Sequence, residues 1–567
     1  MPLPKKIWTL SKFDKGLGNY NAEGMFWWAQ GLDFDFTPPF IRVAPKLFKE
    51  TDSSITANLQ DSYWSTIFNN TNYIINRGDG RIFQSSYPNI WSEVHRNLNT
   101  WGGLGLFGDE DYMYYASNSY AGRYDKTTWT DSWQTFNTSN LSELCPITKF
   151  LKFICFGNKN YLATWDTAGS AWNATRLTLP SGYQIKWLLP LTDYLVISAH
   201  HNAYGSALFF WDGISQTYNR VLQLPNVLSL AGVVDKNALY VITNDGWINL
   251  FNGVGLTKLN RFPDMELGDI INLYPDTVKI FQGLIYIGKA ASGYDMTKRF
   301  YPGGIWVFNP QTKALYFKHM MSNGGVTNQG GYGVITILTI ILTQGGGSFK
   351  VLWYQAGGSV DYVIDVSNDT GANRPYNWGA IFVTPLLDDE PYRRKRFIQS
   401  ILNFYKPLVN SSFARIVVKY NVLEKYQKDF KVATAGGYDY FDLAFGWLNF
   451  EVGDEVTVLS GGGAGQIRHI TSIEAIGGTR RFHMDETLYN GASYNGTSYL
   501  LLTGFKKVAV IKGSDYAGAV NKMMRFNARS KKIQMKIEIW SPSGFTGEWD
   551  MGLADISTVY IPDRIIK

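Results

Sequence analysis

The sequence is poor in cysteine, histidine and charge. Of its 567 residues, two are cysteine and six are histidine, and 18% are charged, against roughly 25% in typical soluble domains. The histidines show no pair of ligands four residues apart with an acidic neighbour, which argues against a zinc site. No Gly-x-Ser-x-Gly elbow is present to activate a serine nucleophile. The two cysteines, Cys145 and Cys155, are expected to be free thiols buried as small hydrophobes.

Long apolar runs are also missing. The longest, VITILTIIL from Val334 to Leu342, is far shorter than the roughly 20 residues that span a bilayer, so it predicts a buried strand and no membrane insertion. The N-terminus has Lys5 and Lys6 but no apolar core after them, so we expect synthesis without a signal peptide. The net charge of +6 is mild for this length and does not imply nucleic-acid binding.

Aromatic residues and glycine are plentiful, and one motif recurs with them. An apolar strand ends in an aromatic residue followed by Asp or Asn, at intervals near 41 residues that an insert stretches to 57 before the last clear pair. Phe83 is a weaker first member and residues 332–366 are a degenerate last one. Because each period holds hairpin pairs of strands, the repeat predicts an all-β chain with a six- or seven-bladed β-propeller. The five clear pairs are Tyr124-Asp125, Trp165-Asp166, Trp211-Asp212, Phe251-Asn252 and Phe308-Asn309.

These pairs are interpreted as architecture. The aromatic residue is expected to fill the space between blades, and the Asp or Asn to begin the turn to the next strand. The alternative is that Asp166, Asp212, Asp235 or Asp245 converge on the propeller axis as a pair of carboxylates for glycoside hydrolysis. The more common role of an Asp at a strand end is turn formation, so no catalytic residue, cofactor or metal is predicted.

The composition changes after residue 372, and four domains are predicted. Residues 1–56 form an extended N-terminal arm and 57–372 the propeller. Residues 373–437 and 503–567 form a β-sandwich-like domain, because their strand-like runs mix β-branched and aromatic residues. Residues 438–502, with turn signals every 8 to 12 residues or so, form a small inserted β-barrel. The basic run Arg393 to Arg396 follows three acids and is interpreted as a solvated domain junction.

The segment Gly24 to Ile55 resembles virion proteins of tailed bacteriophages. In that family, a characteristic stretch precedes a propeller and a β-rich domain. The stretch contains an aromatic residue, then Leu-Asp-Phe or Leu-Asp-Ile, and then Pro and Lys. Leu32-Asp33-Phe34, Pro38-Pro39 and Pro45-Lys46 match that form here, and Phe13 to Gly24 is similar to the Gly-Leu-Asn start of phage tail components. The motif match is specific over about 50 residues. Over the rest of the chain, only the order of domains is similar.

The resemblance implies a non-enzymatic, multi-copy tail protein of a nozzle, hub or decoration type, located in the virion. Its partners would be other copies of itself and other tail proteins, with nucleic acid only if the ring lines the DNA channel. The aromatic arm residues Phe26, Trp27, Trp28, Phe34 and Phe36 would contact a neighbouring subunit. The barrel tyrosines Tyr489, Tyr494 and Tyr499 would contact a host surface glycan. The alternative function is a carbohydrate-binding or glycan-degrading propeller.

Overall fold

The fold is given by a computed structural model. It describes residues 4–18, 24–34, 41–43, 47–50, 62–85, 92–97, 102–139, 144–263, 273–289, 304–320, 334–343, 346–355, 359–365, 380–387, 392–408, 410, 415–422, 427–444, 450–460, 466–488, 492–496, 498–540 and 552–563. Of these residues none lies in an α-helix, and no helix in the described part is long and apolar enough to cross a bilayer.

The chain divides into two compact units. The propeller unit comprises Phe48–Ala290 and Gly333–Asp365, and the sheet unit comprises Met1–Leu47, Ala291–Tyr332 and Val366–Lys567. Seven short strands lie at the start of the chain, before the first blade. They are β1 (Lys6–Leu10), β2 (Gly16–Leu17), β3 (Met25–Phe26), β4 (Trp28–Gln30), β5 (Leu32–Asp33), β6 (Arg42–Val43) and β7 (Leu47–Glu50).

Four-stranded antiparallel sheets then follow one another along the chain, which confirms the predicted β-propeller. Blades 1 to 3 consist of β8 (Ser62–Phe68), β9 (Thr71–Asn76), β10 (Arg81–Ser85), β11 (Ser92–Arg96); β12 (Gly105–Gly108), β13 (Met113–Ala116), β14 (Tyr120–Tyr124), β15 (Trp129–Thr135); and β16 (Ile147–Phe150), β17 (Phe153–Asn158), β18 (Tyr161–Asp166), β19 (Ala171–Thr178).

Blades 4 to 6 repeat this arrangement. They consist of β20 (Tyr183–Leu191), β21 (Tyr194–His201), β22 (Gly205–Trp211), β23 (Arg220–Pro225); β24 (Ser229–Asp235), β25 (Ala238–Thr243), β26 (Trp247–Phe251), β27 (Leu256–Arg261); and β28 (Val278–Phe281), β29 (Leu284–Lys289), β30 (Gly304–Phe308), β31 (Leu315–Met320). A 3-10 turn, Pro275–Thr277, precedes β28. Strands β30 and β31 lie within the residue bounds of the sheet unit.

Blade 7 is completed by a strand from the beginning of the chain. It contains β32 (Val334–Thr343), β33 (Gly346–Gln355) and β34 (Ser359–Asp365), and β7 forms its outermost strand. The first strand of each blade lies innermost, and β32 packs beside β8 to close the ring. The seven sheets agree with the higher of the two predicted blade numbers. The aromatic-Asp/Asn motif ends the third strand of its blade. A more exposed fourth strand follows it in blades 2 to 5, whereas β31 of blade 6 is buried from Leu315 to Lys318.

The sheet unit contains fourteen further strands. They are β35 (Ala380–Val383), β36 (Lys395–Phe404), β37 (Arg415–Asn421), β38 (Gln427–Val432), β39 (Ala435–Gly436), β40 (Tyr440–Ala444), β41 (Glu455–Ser460), β42 (Ile467–Ile476), β43 (Thr479–Met484), β44 (Tyr499–Thr503), β45 (Lys506–Lys512), β46 (Asn521–Ser530), β47 (Gln534–Trp540) and β48 (Leu553–Pro562).

Two of its sheets form a sandwich. One has the order β1-β48-β36-β46, and the other the order β4-β35-β47-β37-β45. Their inner faces meet where Ser400 contacts Met535 and where Tyr420 stacks on Phe526. Strands β1 and β4 come from the segment predicted to be an extended arm, and they pair with β48 and β35 of the same chain.

The insert, residues 427–503, is a seven-stranded sheet of order β38-β44-β41-β42-β43-β40-β39. It leaves the sandwich after β37 and returns at β45, two strands that are themselves paired. Its own apolar core includes Phe441, Val456, Phe482 and Leu502. The sheet begins at Gln427, earlier than the predicted start at Tyr438, because β38 pairs with β44 at the far end of the insert.

Candidate functional site

The five Asp or Asn residues of the repeat all form the same turn. In each case the side-chain Oδ1 accepts hydrogen bonds from the backbone N–H groups two and three residues later, at 2.6 to 3.3 Å. Such side-chain acceptors mimic a backbone turn and satisfy amides that would otherwise lack a partner. The donors are Thr127 and Thr128 for Asp125, Ala168 and Gly169 for Asp166, Ile214 and Ser215 for Asp212, Val254 and Gly255 for Asn252, and Gln311 and Thr312 for Asn309.

The surroundings of the three carboxylates lower the pKa of each. The Thr127 hydroxyl lowers the pKa of Asp125, the Lys152 ammonium lowers that of Asp166, and the Ser215 N–H lowers that of Asp212. A general acid for glycoside hydrolysis instead needs a raised pKa. Each turn also joins the third and fourth strands of its blade, away from the innermost strand. The geometry therefore suits Asp166 and Asp212 to turn formation and not to acid catalysis.

The aromatic partners lie at the boundaries between blades. Trp165 of blade 3 packs edge-on against Trp133 of blade 2, with ring centroids 4.7 Å apart. Phe251 of blade 5 stacks on Phe210 of blade 4 at 4.9 Å. Trp211 and Phe308 are fully buried, and Tyr124 stacks on Trp129 at 4.1 Å.

Two arginines repeat a contact that the sequence did not reveal. The Arg176 guanidinium donates to the carbonyls of Gly213 and Ile214 at 3.3 and 3.1 Å, which lie in the next blade's turn. Arg220, in the following blade, donates in the same way to Gly253 and Val254. Each guanidinium also lies over aromatic rings, Trp211 for Arg176 and Phe251 for Arg220, at 5.7 and 5.4 Å. These arginines, here called the inter-blade arginines, fasten each turn to the preceding blade.

The predicted subunit-contact residues are mostly buried in their own chain, which corrects that interpretation. Phe26 is fully buried, and Trp28 and Phe34 are nearly so. Phe26 stacks on Phe34 at 4.7 Å, and both rings lie near Phe382 of β35. The apolar side chains of this segment therefore form the core of the sheet unit and are not free to contact a neighbour. Trp27 is half-buried, and Phe36 lies outside the described residues.

The predicted glycan-contact tyrosines do not form an exposed cluster in the described part of the insert. Tyr494 is only 1% exposed and packs against Phe441 at 5.5 Å, so it belongs to the core and has no surface to offer a sugar. Burial raises the pKa of its hydroxyl. The backbone of Tyr499 lies in β44, and Tyr489 lies outside the described residues.

An aspartate missed by the sequence reasoning lies among the innermost strands of the propeller. The carboxylate of Asp276, in the 3-10 turn before β28, accepts hydrogen bonds from the N–H and hydroxyl of Ser65 in β8, at 2.8 and 2.7 Å. Lys279 pairs with the same carboxylate. Burial raises the pKa of Asp276, against the effect of Lys279. Tyr274 also packs on Tyr63 of β8, so this turn reaches blade 1 from blade 6 through two contacts.

The most unusual electrostatic feature is a buried charge cluster in the sheet unit, formed by Lys419, Glu455, Lys536 and Glu538. All four side chains are at most 2% exposed. Lys419 lies 2.6 Å from Glu455 and 2.5 Å from Glu538, and Lys536 lies 2.6 Å from Glu455 and 3.0 Å from Glu538. Each ammonium thus contacts both carboxylates, and the cluster has no net charge.

The buried charge cluster joins the insert to the sandwich. Glu455 lies on β41 of the insert, whereas the two lysines and Glu538 lie on β37 and β47 of the five-stranded sheet. Burial alone would raise the pKa of Glu455, but Lys419 and Lys536 hold it well below its ordinary value. A sequence signal existed in part, since Lys419 interrupts the apolar run IVVKY, and Lys536 and Glu538 alternate with apolar residues in MKIEIW.

A histidine extends this cluster toward the surface. His469 of β42 lies directly opposite Glu455, and its Nδ1 is 3.1 Å from Asp485, which also pairs with the half-exposed Lys507. Burial and the nearby Lys419 lower the pKa of His469. No group of three or more His, Cys, Asp or Glu side chains among the described residues has the geometry of a metal site. Cys145 and Cys155 are free and buried, as predicted, and burial raises the pKa of both thiols.

Comparisons with known proteins find similar propeller structures but no family. No family model and no curated protein matches the chain. Among solved structures it is similar to the WD40 propeller domain of Doa1, at 12% identity over 57% of this chain and 96% of that one, with a TM-score of 0.38. It is also similar to BamB from Moraxella catarrhalis, at 13% identity over 57% and 98%, with a TM-score of 0.36. The Cps50 (Swd1) propeller domain of Myceliophteria thermophila matches at 8% identity over 57% and 100%, with a TM-score of 0.40. Its own four-stranded sheets show that the protein is an all-β chain built on a β-propeller.

Proposed function

We propose that this protein is a structural component of a tailed-bacteriophage virion, present in several copies in the tail. The observation that supports a scaffold most directly is the use of its recurring polar groups. The strand-end Asp and Asn side chains accept backbone hydrogen bonds, and the inter-blade arginines fasten the resulting turns. These groups are occupied by the fold's own backbone, as expected of an architectural protein.

The virion assignment itself rests on the resemblance of Gly24 to Ile55 to phage tail proteins. Part of that segment, residues 24–34, supplies β3, β4 and β5 to the sheet unit. Matching residues such as Leu32 and Phe34 are buried there. The segment therefore has a structural role that accounts for its apolar and aromatic composition within one chain.

Mass spectrometry of purified virions from the phage that encodes this chain tests the proposal. We expect peptides of the chain in intact particles, in several copies per particle relative to a counted tail protein, and retained after the particles are washed in high salt. Absence from particles, with the chain found only in the infected-cell lysate, would refute a structural role.

Incubation of the purified chain with host polysaccharide, followed by mass spectrometry of any released oligosaccharides, addresses the alternative of a glycan-degrading enzyme. We expect no product. If the wild type released product, and a folded Asp276→Asn variant did not, the enzyme would be favoured instead.

A further inference from the structure

A patch of exposed cations covers one corner of the sandwich, on two neighbouring strands of the sheet β1-β48-β36-β46. Strand β36 begins at the basic run noted in the sequence, and it pairs with the end of β46, where a second set of basic residues lies. The register places Arg396 directly opposite Arg529 and Gln399 opposite Arg525. We call this surface the basic corner, and it comprises the exposed residues Arg394, Arg396, Arg525, Arg529 and Lys531.

The side chains of the basic corner point away from the sandwich core. Along β46, Met524 and Ala528 are buried. Arg525 and Arg529, each of which directly follows one of them, are exposed, and the side chain of Arg529 is 66% exposed. Two arginines four residues apart on a strand are about 13 Å apart. The corner is therefore an outward, extended surface and not an internal charge cluster.

Asp388, Asp389 and Glu390, which precede β36 in sequence, lie outside the described residues, and among the described residues one carboxylate pairs with the corner. Asp563 pairs with Arg529 at 2.8 Å, and the Arg396 Nε donates to the neutral side chain of Asn527 at 2.9 Å. Arg394, Arg525 and Lys531 form no ion pair with any described residue. Like charges directly opposite one another on neighbouring strands are destabilising, and for the Arg396 and Arg529 pair one counter-charge, Asp563, offsets this effect.

Protection of a sheet edge does not explain the arrangement. Basic residues on an edge strand such as β46 do discourage pairing with another chain. Strand β36, however, is paired on both sides, with β48 and β46, and it still places Arg396 on the same face. The positive charge is thus concentrated on a face, which is where a partner would meet it.

We propose that the basic corner binds the phosphate backbone of double-stranded DNA without sequence preference. Arginine predominates in the corner, and its planar guanidinium matches phosphate oxygens with two parallel hydrogen bonds. Duplex DNA carries one negative charge per about 1.7 Å of axis, so a surface about 13 Å long meets several phosphates. The modest net charge of the whole chain hid this feature, because the cations are gathered at one place.

Fluorescence anisotropy of a labelled duplex of arbitrary sequence, titrated with the full chain at several salt concentrations, tests the proposal. The variant R396Q/R525Q/R529Q removes three charges from the corner. The matched control K126Q/K236Q/K258Q removes three exposed charges from the propeller unit. We expect the corner variant to bind at least about tenfold more weakly at low salt, with its log–log salt slope reduced by about 3. The control should keep the wild-type slope.

Three results would overturn the proposal: no binding by the wild type at low salt, an unchanged slope in the corner variant, or an equal loss in the control. Displacement of the duplex by poly-glutamate at equal charge concentration would instead indicate an acidic protein surface as the partner, and would also overturn it. If the triple variant does not fold, R525Q alone should lower the slope by about 1. Failure here would leave the virion assignment intact, since that depends on detection of the chain in particles.

Discussion

The blade turns and the buried charge cluster use charged residues in opposite ways. In the propeller unit, Asp125, Asp166 and Asp212 lie at the surface and bind backbone amides two and three residues away. In the sheet unit, the buried charge cluster is shielded from water, and its members are distant in sequence. Lys419 contacts Glu455, 36 residues away, and Glu538, 119 residues away. The first device is local and replaceable, and the second is long-range and depends on every member. This difference predicts how each region responds to substitution.

The largest effect is expected from Lys419→Met. The change leaves Glu455 and Glu538 with one ammonium between them in a buried site, and breaking a buried ion pair typically costs about 3–5 kcal/mol. The control is Lys507→Met, which removes a lysine that is 40% exposed and should cost less than about 1 kcal/mol. Urea unfolding of both variants measures the difference. Equal losses would show that the cluster contributes no more than a surface pair.

An intermediate effect is expected from Arg220→Met, which keeps the aliphatic stem and removes the guanidinium. The carbonyls of Gly253 and Val254 lose a charged donor, at a cost of about 1–2 kcal/mol for this partly exposed site. Arg176→Met should behave alike, because it repeats the contact one blade earlier. Lys236→Met, at an exposed turn of blade 5, is the control and should leave the unfolding midpoint unchanged. A midpoint that stays at the wild-type value in both arginine variants would rule out the inter-blade fastening.

A smaller effect separates shape from charge in the blade turns. Asp212→Asn should lower stability by less than about 1 kcal/mol, because Asn252 and Asn309 form the same turn in other blades. Asp212→Ala should cost more, about 1–2 kcal/mol, because the amides of Ile214 and Ser215 lose their acceptor. Thermal unfolding distinguishes the two variants. If Asn proved as damaging as Ala, the negative charge and not the turn would be the important property.

The smallest effect concerns pH. The folded pKa of His469 lies below its ordinary value of 6.5, so the folded protein binds fewer protons than the unfolded one in the window below 6.5. Stability should therefore fall as the pH drops through that window, because a protonated His469 would be a buried cation close to Lys419, which Glu455 and Asp485 offset only in part. His469→Gln should flatten this dependence between pH 7 and pH 5. An identical slope in wild type and His469→Gln would contradict the assignment.

The same contrast explains how much the sequence could predict. The propeller was predictable because its signal is local, with Trp165-Asp166 and its counterparts recurring at similar intervals until the insert before Phe308-Asn309. The fourth strands were not, since a strand such as β19, with exposed residues at alternate positions, has little apolar character. The pairing of β7 with β34 was also out of reach, because about 300 residues separate Glu50 from Ser359 and nothing local links them.

The predicted contact residues failed for a related reason. Aromatic residues before the first blade indicate a surface that must be covered, but the sequence does not say by what. Phe26 and Phe34 are covered by Phe382 of the same chain. Tyr494 likewise lies in a segment rich in Gly, Asn and Ser, which are typical residues of surface turns, and it was expected to contact a glycan. Its ring instead fills the core of the insert. Partners that are distant in sequence decide burial in both cases.

Hydrogen exchange of the wild type and Lys419→Met, followed by mass spectrometry, tests the contrast most directly. The account predicts faster exchange in the variant for peptides of β41 and β42, because the insert loses its buried attachment to the sandwich. Peptides of blade 4, from β20 to β23, should exchange as in the wild type, since their turns are held by neighbouring residues. Faster exchange in blade 4 to the same extent as in the insert, or no change in the insert, would contradict the account.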